Sequence, residues 1–407
     1  MATLDFDIII VGGGVAGATC AALLARQSRR VALIDARRPR FQATPGEFDL
    51  RVVAISPGSQ RVLSAAGAWQ HLEHARLAPY SHMHVYAESL GVKFSASDHG
   101  LLELGWIAEI PAMEQAIWQA LDGMDVVTTF APASWTSCEV GSETVRIALD
   151  DGRTLRASLL VAADGGRSRL RQHAGITADE WHYNQRALIA PVRTENSNRN
   201  LAWQRFTEHG PLALLPLPDG RSSIVWSQSR ERAESLSAID PEAFIQDINQ
   251  HQDSPLGQIL EVGPRRTLPL IRRRARSLVS HRFVLLGDAA RTVHPLAGQG
   301  LNLGLMDAAA LAEVLEPWSQ GSPEQSLRTY QRWRLSNSTL IGGGIHSINE
   351  LVRSPAGAGR HLLGAGFGLA ARLWPLRESF VARACGIDSD SPKLARTGHS
   401  VSEAAAA

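Results

Sequence analysis

The chain has 407 residues, of which 44% are hydrophobic and 20% charged, with a formal net charge of +1. That length is too great for one simple core and suits two lobes in a globular protein. The near-neutral balance gives no electrostatic reason to expect nucleic acid as a partner, and no run of about 18 apolar residues exists to span a bilayer.

Cys20, Cys138 and Cys385 are far apart and odd in number. They have no CxxC or metal-ligand spacing, so a reducing compartment and no metal centre are expected. The N-terminal apolar run is short, follows Asp5 and Asp7, and ends in glycines, which does not read as a signal peptide. A cytoplasmic location is the expectation.

Residues 6–11 (FDIIIV) form a short β-branched run that predicts a buried strand, broken by Gly12, Gly13 and Gly14. A helix rich in small residues is predicted from Val15 to Gln27, then a strand from Val31 to Ile34 ending at Asp35. This is a βαβ unit of about thirty residues. A helical pattern is read from Arg51 to Trp69, strands and loops from Tyr80 to Gly105, and a helix from Pro111 to Leu121.

Val126 to Leu160 alternates between turns at Gly141 and Asp150-Asp151-Gly152, predicting antiparallel hairpins. Leu159 to Ala163 is a further buried strand, running into Asp164-Gly165. Residues 183–270 carry strand and turn signals for a second, sheet-containing lobe. Phe283 to Leu286 is a strand ending in Gly287-Asp288, and a helix follows from Leu301 to Glu316. The last sixty or so residues are mostly helical, and the segment after Gly386 is expected to be loose.

Four motifs carry chemistry. Gly12-x-Gly14-x-x-Gly17 lies between strand and helix. Gly12 permits the tight turn, Gly14 lets a pyrophosphate approach the backbone, and Gly17 lets helix and strand pack closely. Asp35 ends the next strand, where an acid binds adenosine ribose hydroxyls. A ligand-free glycine turn is the bland alternative, and the motif alone does not separate NAD from FAD.

The second is Asp164-Gly165-x-x-Ser168-x-x-Arg171, and the third is Gly287-Asp288, whose carboxylate can accept hydrogen bonds from ribityl hydroxyls. Taken singly, Asp164-Gly165 reads better as a plain turn, and a lone Gly-Asp is unremarkable. The fourth is His294-Pro295-Leu-Ala-Gly298-Gln-Gly300-Leu301-Asn302-Leu-Gly304. Its glycine-rich approach to a helix start presents free N–H groups that suit a flavin ring anionic at its pyrimidine end.

Together these motifs resemble the single-component FAD aromatic hydroxylases of the para-hydroxybenzoate hydroxylase type. The string GDAARTVHPLAGQGLNLGL is most similar to the ubiquinone-biosynthesis hydroxylases. DLRVVAISPGSQRVLSAAGAW, AWQRFTEHGPLALLPL and LPLIRRRA resemble the 3-demethoxyubiquinol hydroxylase branch. The resemblance runs over roughly residues 5 to 385.

The implied fold is α/β (α+β, two-lobed): a Rossmann-type FAD-binding domain, a β-sheet substrate domain and a helical C-terminus. The FAD-binding domain would take residues 1–79, 101–182 and 271–345, the substrate domain 80–100 and 183–270, and the helical region 346–407. Gly12, Gly14, Gly17 and Asp35 would hold the ADP half of FAD, and Arg51 would reach the cofactor. Asp164 and Gly165 would sit near the pyrophosphate, in a region that also serves NAD(P)H. Gly287 and Asp288 would reach the ribityl chain. Pro295, Gly298, Gly300, Leu301 and Asn302 would line the isoalloxazine.

Two positions depart from the family pattern: Asp35 stands where a Glu is usual, and Glu109-Ile110-Pro111 replaces Glu-Asn. The implied reaction uses NAD(P)H and O2 to hydroxylate a polyprenyl phenol or quinol through a flavin C4a-hydroperoxide. A reductase of prenyl groups, a hydroxylase of a small soluble phenol, and a non-catalytic scaffold of a quinone-biosynthesis complex are the competing readings.

His294 is the candidate for proton transfer, with shaping of the turn before Pro295 as the structural alternative. Trp203, Phe206 and Trp226 read either as an aromatic pocket or as plain core. Arg272, Arg273, Arg274 and Arg276 read as a solvated face, or as a contact for cofactor phosphate or anionic headgroups. Leu362 to Leu376 is apolar enough for peripheral contact with the inner face of the cytoplasmic membrane, and too short to cross it.

Overall fold

The computed structural model describes residues 3–44, 46–87, 90–293, 299–318, 322–352, 363, 366 and 374–396. Its centre is a six-stranded sheet in the order Val279–Ser280, Phe283–Leu285, Leu159–Ala162, Ile8–Val11, Val31–Ile34, Val127–Phe130. Only the Val279–Ser280 pairing is antiparallel; the other neighbours run parallel. Ile8–Val11, Val31–Ile34 and Leu159–Ala162 are buried along their whole length. Strands covered on both faces read as continuous apolar runs rather than alternating ones, and that made them visible in the sequence.

The helix Val15–Ala25 crosses from the first strand to the second. All its residues except Ala16 are buried, because the helices Gln299–Leu315 and Ile110–Asp122 press on it as well as the sheet. Its alanines and Gly17 let the neighbouring elements approach closely. A four-stranded sheet, Thr3–Asp5, Thr154–Ala157, Val145–Leu149 and Trp135–Val140, contains the expected hairpins, but Val127–Phe130, read with them as antiparallel, instead pairs parallel at the edge of the central sheet.

The second lobe is a nine-stranded sheet. Along it run Arg291–Thr292, Arg266–Ala275, Ala178–Thr194, Ser222–Ser229, Gly210–Pro216, Leu201–Thr207, His82–Ala87 and Leu90–Ser95, while Ile259–Val262 pairs with Ala178–Thr194 off this path. The segment near residue 90 therefore joins strands more than a hundred residues away, with His82–Ala87 parallel to Leu201–Thr207. The strands Ala178–Thr194 and Arg266–Ala275 run continuously through residues 183 and 270.

One face of this sheet is covered by the helices Arg230–Ala238 and Pro241–Asn249, through a cluster containing Trp203, Trp226, Leu236, Phe244 and Ile248. Phe206 belongs to a different cluster, with Val85, Ala87, Phe94 and Val381. Strand alternation explains the split: positions 203 and 206 differ by an odd number and point to opposite faces. The three aromatics form no common pocket, and Trp203 and Trp226 are core.

Two further expectations are corrected. The helix read from Arg51 to Trp69 is a strand, Val52–Ile55, followed by a shorter helix, Pro57–Ala65. The β-branched Val52, Val53 and Ile55 pair antiparallel with Gly105–Glu109. Ser56 then caps the helix, its hydroxyl accepting from Ser59 N–H at 3.3 Å, with Pro57 in the first turn. The segment after Gly386 is also not loose as far as Arg396. Ala395 is fully buried, its carbonyl accepts from Arg61 at 2.8 Å, and Asp390 O accepts from Trp333 at 2.8 Å. Leu362 to Leu376 falls largely outside the described residues.

Candidate functional site

Parallel pairing puts four sequence motifs side by side. The strands Phe283–Leu285, Leu159–Ala162, Ile8–Val11 and Val31–Ile34 are consecutive neighbours running the same way. Their C-terminal ends deliver Gly287-Asp288, Asp164-Gly165, the Gly12–Gly17 turn and Asp35 to one edge. The C-terminal edge of a parallel sheet is where open α/β folds bind ligands.

The glycine turn is built by close approach. Gly12 has φ +108°, donates to Ile34 O at 2.8 Å, and a Cβ there would lie 2.1 Å from Ala163 O. A Cβ at Gly17 would lie 2.0 Å from Gly12 O. At Gly14 a Cβ would meet nothing within 4 Å, so this position faces open space at the helix start, as pyrophosphate approach requires. Asp35 holds the turn: Oδ2 accepts from Gly13 N–H at 2.6 Å and Oδ1 from Arg37 N–H at 2.9 Å.

Asp164 accepts from Leu170 N–H at 3.2 Å through one oxygen. Its other oxygen, Oδ1, is buried and has no partner in the protein, a costly state that a bound donor would relieve. Gly165 has φ +82° and open space where a Cβ would sit. Ser168 caps the short helix Arg169–His173. Arg171 spans to the neighbouring motif, donating to Gly166 O at 3.2 Å and Ala289 O at 2.8 Å.

Gly287 has φ +61° and packs against Ala16 and Gly304. Asp288 keeps solvent contact, and the surrounding protein removes part of its hydration. That partial dehydration pushes its carboxyl pKa up, opposed by the charges of Arg291 and Arg273. Gly300 and Leu301 are half-buried in the first turn of the helix Gln299–Leu315. Asn302 is buried, and its amide is committed to backbone: Oδ1 accepts from Ser56 N–H at 3.0 Å and Nδ2 donates to Ala54 O at 2.8 Å. His294, Pro295 and Gly298 lie outside the described residues.

Arg51 directly precedes the strand Val52–Ile55. It lines a cavity of about 560 Å³ with Arg37, Arg38, Phe41, Glu109 and Glu114. Glu109 is buried and closes the cavity wall, accepting from Asp49 N–H at 2.6 Å and from Arg76 at 2.7 and 2.8 Å. The arginine cluster is not uniformly solvated. Arg273 is mostly buried, pairs with Glu180 at 2.6 Å, and lies 3.0 Å from the Cβ position of Gly166, while Arg276 pairs with Asp179 in the open.

Sequence reading missed the support beneath the site. Asp307, fully buried, accepts from Gly287 N–H at 3.1 Å, from Arg291 at 2.5 Å and from Arg334 at 2.6 Å. Trp118, also buried, donates to Gly13 O at 2.7 Å. The available signal for Asp307 was a lone acid within the apolar run GLMDAAALA; for Trp118 there was none.

A family model described as an FAD binding domain matches residues 5–341. The chain belongs to this FAD-binding family. FAD is therefore its cofactor, and the open Gly14 and Gly165 positions and the orphaned Asp164 oxygen fit a bound dinucleotide. The chain is 34% identical to the 3-demethoxyubiquinol 3-hydroxylase of Escherichia coli (strain K12), over 83% of this chain and 88% of that one. It is also 34% identical to the ubiquinone hydroxylase UbiL of Rhodospirillum rubrum, over 96% and 92%. The fold is shared with PqsL, a probable FAD-dependent monooxygenase from Pseudomonas aeruginosa, at a TM-score of 0.74, covering 89% and 99% of the two chains at 22% identity.

Proposed function

We propose that this FAD-binding protein hydroxylates the aromatic ring of a polyprenyl phenol or quinol in ubiquinone biosynthesis, with NAD(P)H and O2 as cosubstrates. The reading is carried by the convergence of the Gly12–Gly17, Asp164-Gly165 and Gly287-Asp288 motifs on one sheet edge, in a chain that aligns nearly end to end with ubiquinone hydroxylases.

Bound FAD supplies the redox chemistry by which one atom of dioxygen enters the ring. The protein's own residues bind, orient and exclude water. The first helix N-terminus and Gly14 would take the pyrophosphate, and Asp35 the adenosine ribose while sharing its carboxylate with Gly13 N–H. Asp164, with its unpartnered oxygen, would accept a cofactor hydroxyl or an ordered water. Asp288 would accept from the ribityl hydroxyls. Gly300 and Leu301 would face the flavin ring from the helix start, with Pro295 and Gly298, and His294 would move the proton. Arg51, on the cavity it shares with Arg37 and Arg38, would reach the FAD cofactor, and the region of Asp164 and Gly165 would also serve NAD(P)H.

Segments 1–79, 101–182 and 271–345 we take as the cofactor domain, 80–100 and 183–270 as the substrate domain, and 346–407 as the helical region. A prenylated substrate requires contact with a membrane or a lipid-carrying partner, such as a quinone-biosynthesis complex. No helix among the described residues is long and apolar enough to cross a membrane. Leu102 is 93% exposed and Phe380 61%, on segments joined by the His99–Glu378 contact at 2.8 Å; they support peripheral contact there.

The test is NAD(P)H oxidation by the FAD-loaded protein with a prenylated phenol or quinol, with product mass under 18O2. One labelled oxygen gained is the expected result. Loss of a double bond without oxygen gain, or flavin binding without turnover on any quinol, would overturn it.

A further inference from the structure

On the helix-covered face of the second lobe, a group of metal-ligating side chains has no part in the reading above. The tight turn between the strands Leu201–Thr207 and Gly210–Pro216 carries Glu208 and His209. It meets the segment that follows the helix Pro241–Asn249, which carries His251. The imidazoles of His209 and His251 have centroids 5.2 Å apart. One ligand atom each from Glu208, His209 and His251 lie within 4.8 Å of one another. His209 Nε2 is 3.4 Å from Glu208 Oε1, and His251 Nε2 is 3.9 Å from Asp247 Oδ1.

These spacings can be compared with a coordination sphere. Zinc bonds to imidazole nitrogen and carboxylate oxygen of about 2.0–2.2 Å set neighbouring donors of a tetrahedron roughly 3.3–3.6 Å apart. The His209–Glu208 separation already matches one edge. The other edges among Glu208, His209 and His251 need closures of up to about 1.5 Å, which the exposed Glu208 and the half-buried imidazoles can supply by side-chain rotation. Two imidazoles with a carboxylate select a transition metal over magnesium or calcium, which prefer all-oxygen cages.

We propose that Glu208, His209 and His251 form a site for a divalent transition-metal ion of the zinc class, with solvent completing its coordination sphere. Arg232 holds the same place in the absence of metal. Its Nη2 donates to both oxygens of Asp247 at 2.7 and 2.9 Å and lies 3.4 Å from His251 Nε2. One cation thus substitutes for another. The metal would clamp the hairpin to the helix Pro241–Asn249 and strengthen the outer layer of this lobe, with no part in the flavin reaction.

The experiment is calorimetric titration of the FAD-loaded, chelator-treated protein with Zn2+ alone, with melting temperature as a second readout. One saturable site, a higher melting temperature and no competition from Mg2+ are expected. His209→Ala and His251→Ala should each weaken Zn2+ binding roughly tenfold or more while FAD stays bound. Arg232→Gln should tighten it by removing the competing cation. Absence of saturable Zn2+ binding, or unchanged affinity in the FAD-retaining double variant of His209 and His251, would overturn the site. Weaker binding in Arg232→Gln would overturn the role given to Arg232.

Discussion

Replacing Asp307 with alanine removes a carboxylate that two guanidiniums share in the interior. The side chains of Arg291 and Arg334 are 4% and 1% exposed, and that of Asp307 is 0% exposed. Neither arginine can rehydrate without opening the packing between the helices Gln299–Leu315 and Glu324–Val352. Removing one member of such a buried set costs about 3–5 kcal/mol, because the remaining charges are left uncompensated. The Gly287 N–H loses its acceptor in the same step, and Gly287 fixes the backbone that presents Asp288.

Two effects should follow. The apoprotein should melt lower by about 3–10 °C, scaling the melting shift to a chain of this size. The extra stabilisation conferred by saturating FAD should also shrink, because ligand stabilisation follows affinity. Thermal denaturation with and without FAD reads both. Asp307→Asn keeps an oxygen for Gly287 but removes the charge, so it should recover more of the FAD-induced shift than of the intrinsic stability. An alanine variant within about 1 kcal/mol of the wild type, a cost ordinary for any substitution, would refute the buried-charge argument.

Two further outcomes concern the cofactor edge. Gly14→Val should fold and purify without yellow colour, since its Cβ meets no protein atom within 4 Å but enters the phosphate position. Gly12→Val should fail to fold stably, losing about 3 kcal/mol or more through overlap with Ala163 O and a forbidden φ; absorbance and circular dichroism separate the two, and a yellow Gly14→Val would show the phosphate position is misassigned. Asp288→Asn should weaken FAD roughly ten- to a hundredfold, the worth of hydrogen bonds to a charged acceptor. Its effect on the apoprotein runs the other way. A carboxyl pKa raised by folding means that stability present at low pH is lost as pH rises through the folded value. The Asp288→Asn apoprotein should therefore equal the wild type in acid and exceed it at neutral pH, measured by denaturation across pH; a neutral-pH loss would contradict this sign.

The sequence by itself determined the cofactor and the strands that present it. Fully buried parallel strands are short apolar runs, and Gly12, Asp35, Asp164 and Gly287 are confined to strand ends by local backbone needs, so both kinds of signal are contiguous in the chain. Where local signals compete, the sequence misleads. Arg51 to Trp69 is helical by pattern, yet the partner strand Gly105–Glu109 makes residues 52–55 extended. Trp203 and Phe206 look like one aromatic patch until strand alternation sends them to opposite faces. Only the tertiary structure decided that Asn302 commits its amide to Ser56 and Ala54, that Trp118 ties down Gly13, and that Asp307 anchors Gly287. These are hydrogen bonds between residues 20 to nearly 250 positions apart. Their energy depends on burial and distance, which residue type and spacing do not encode.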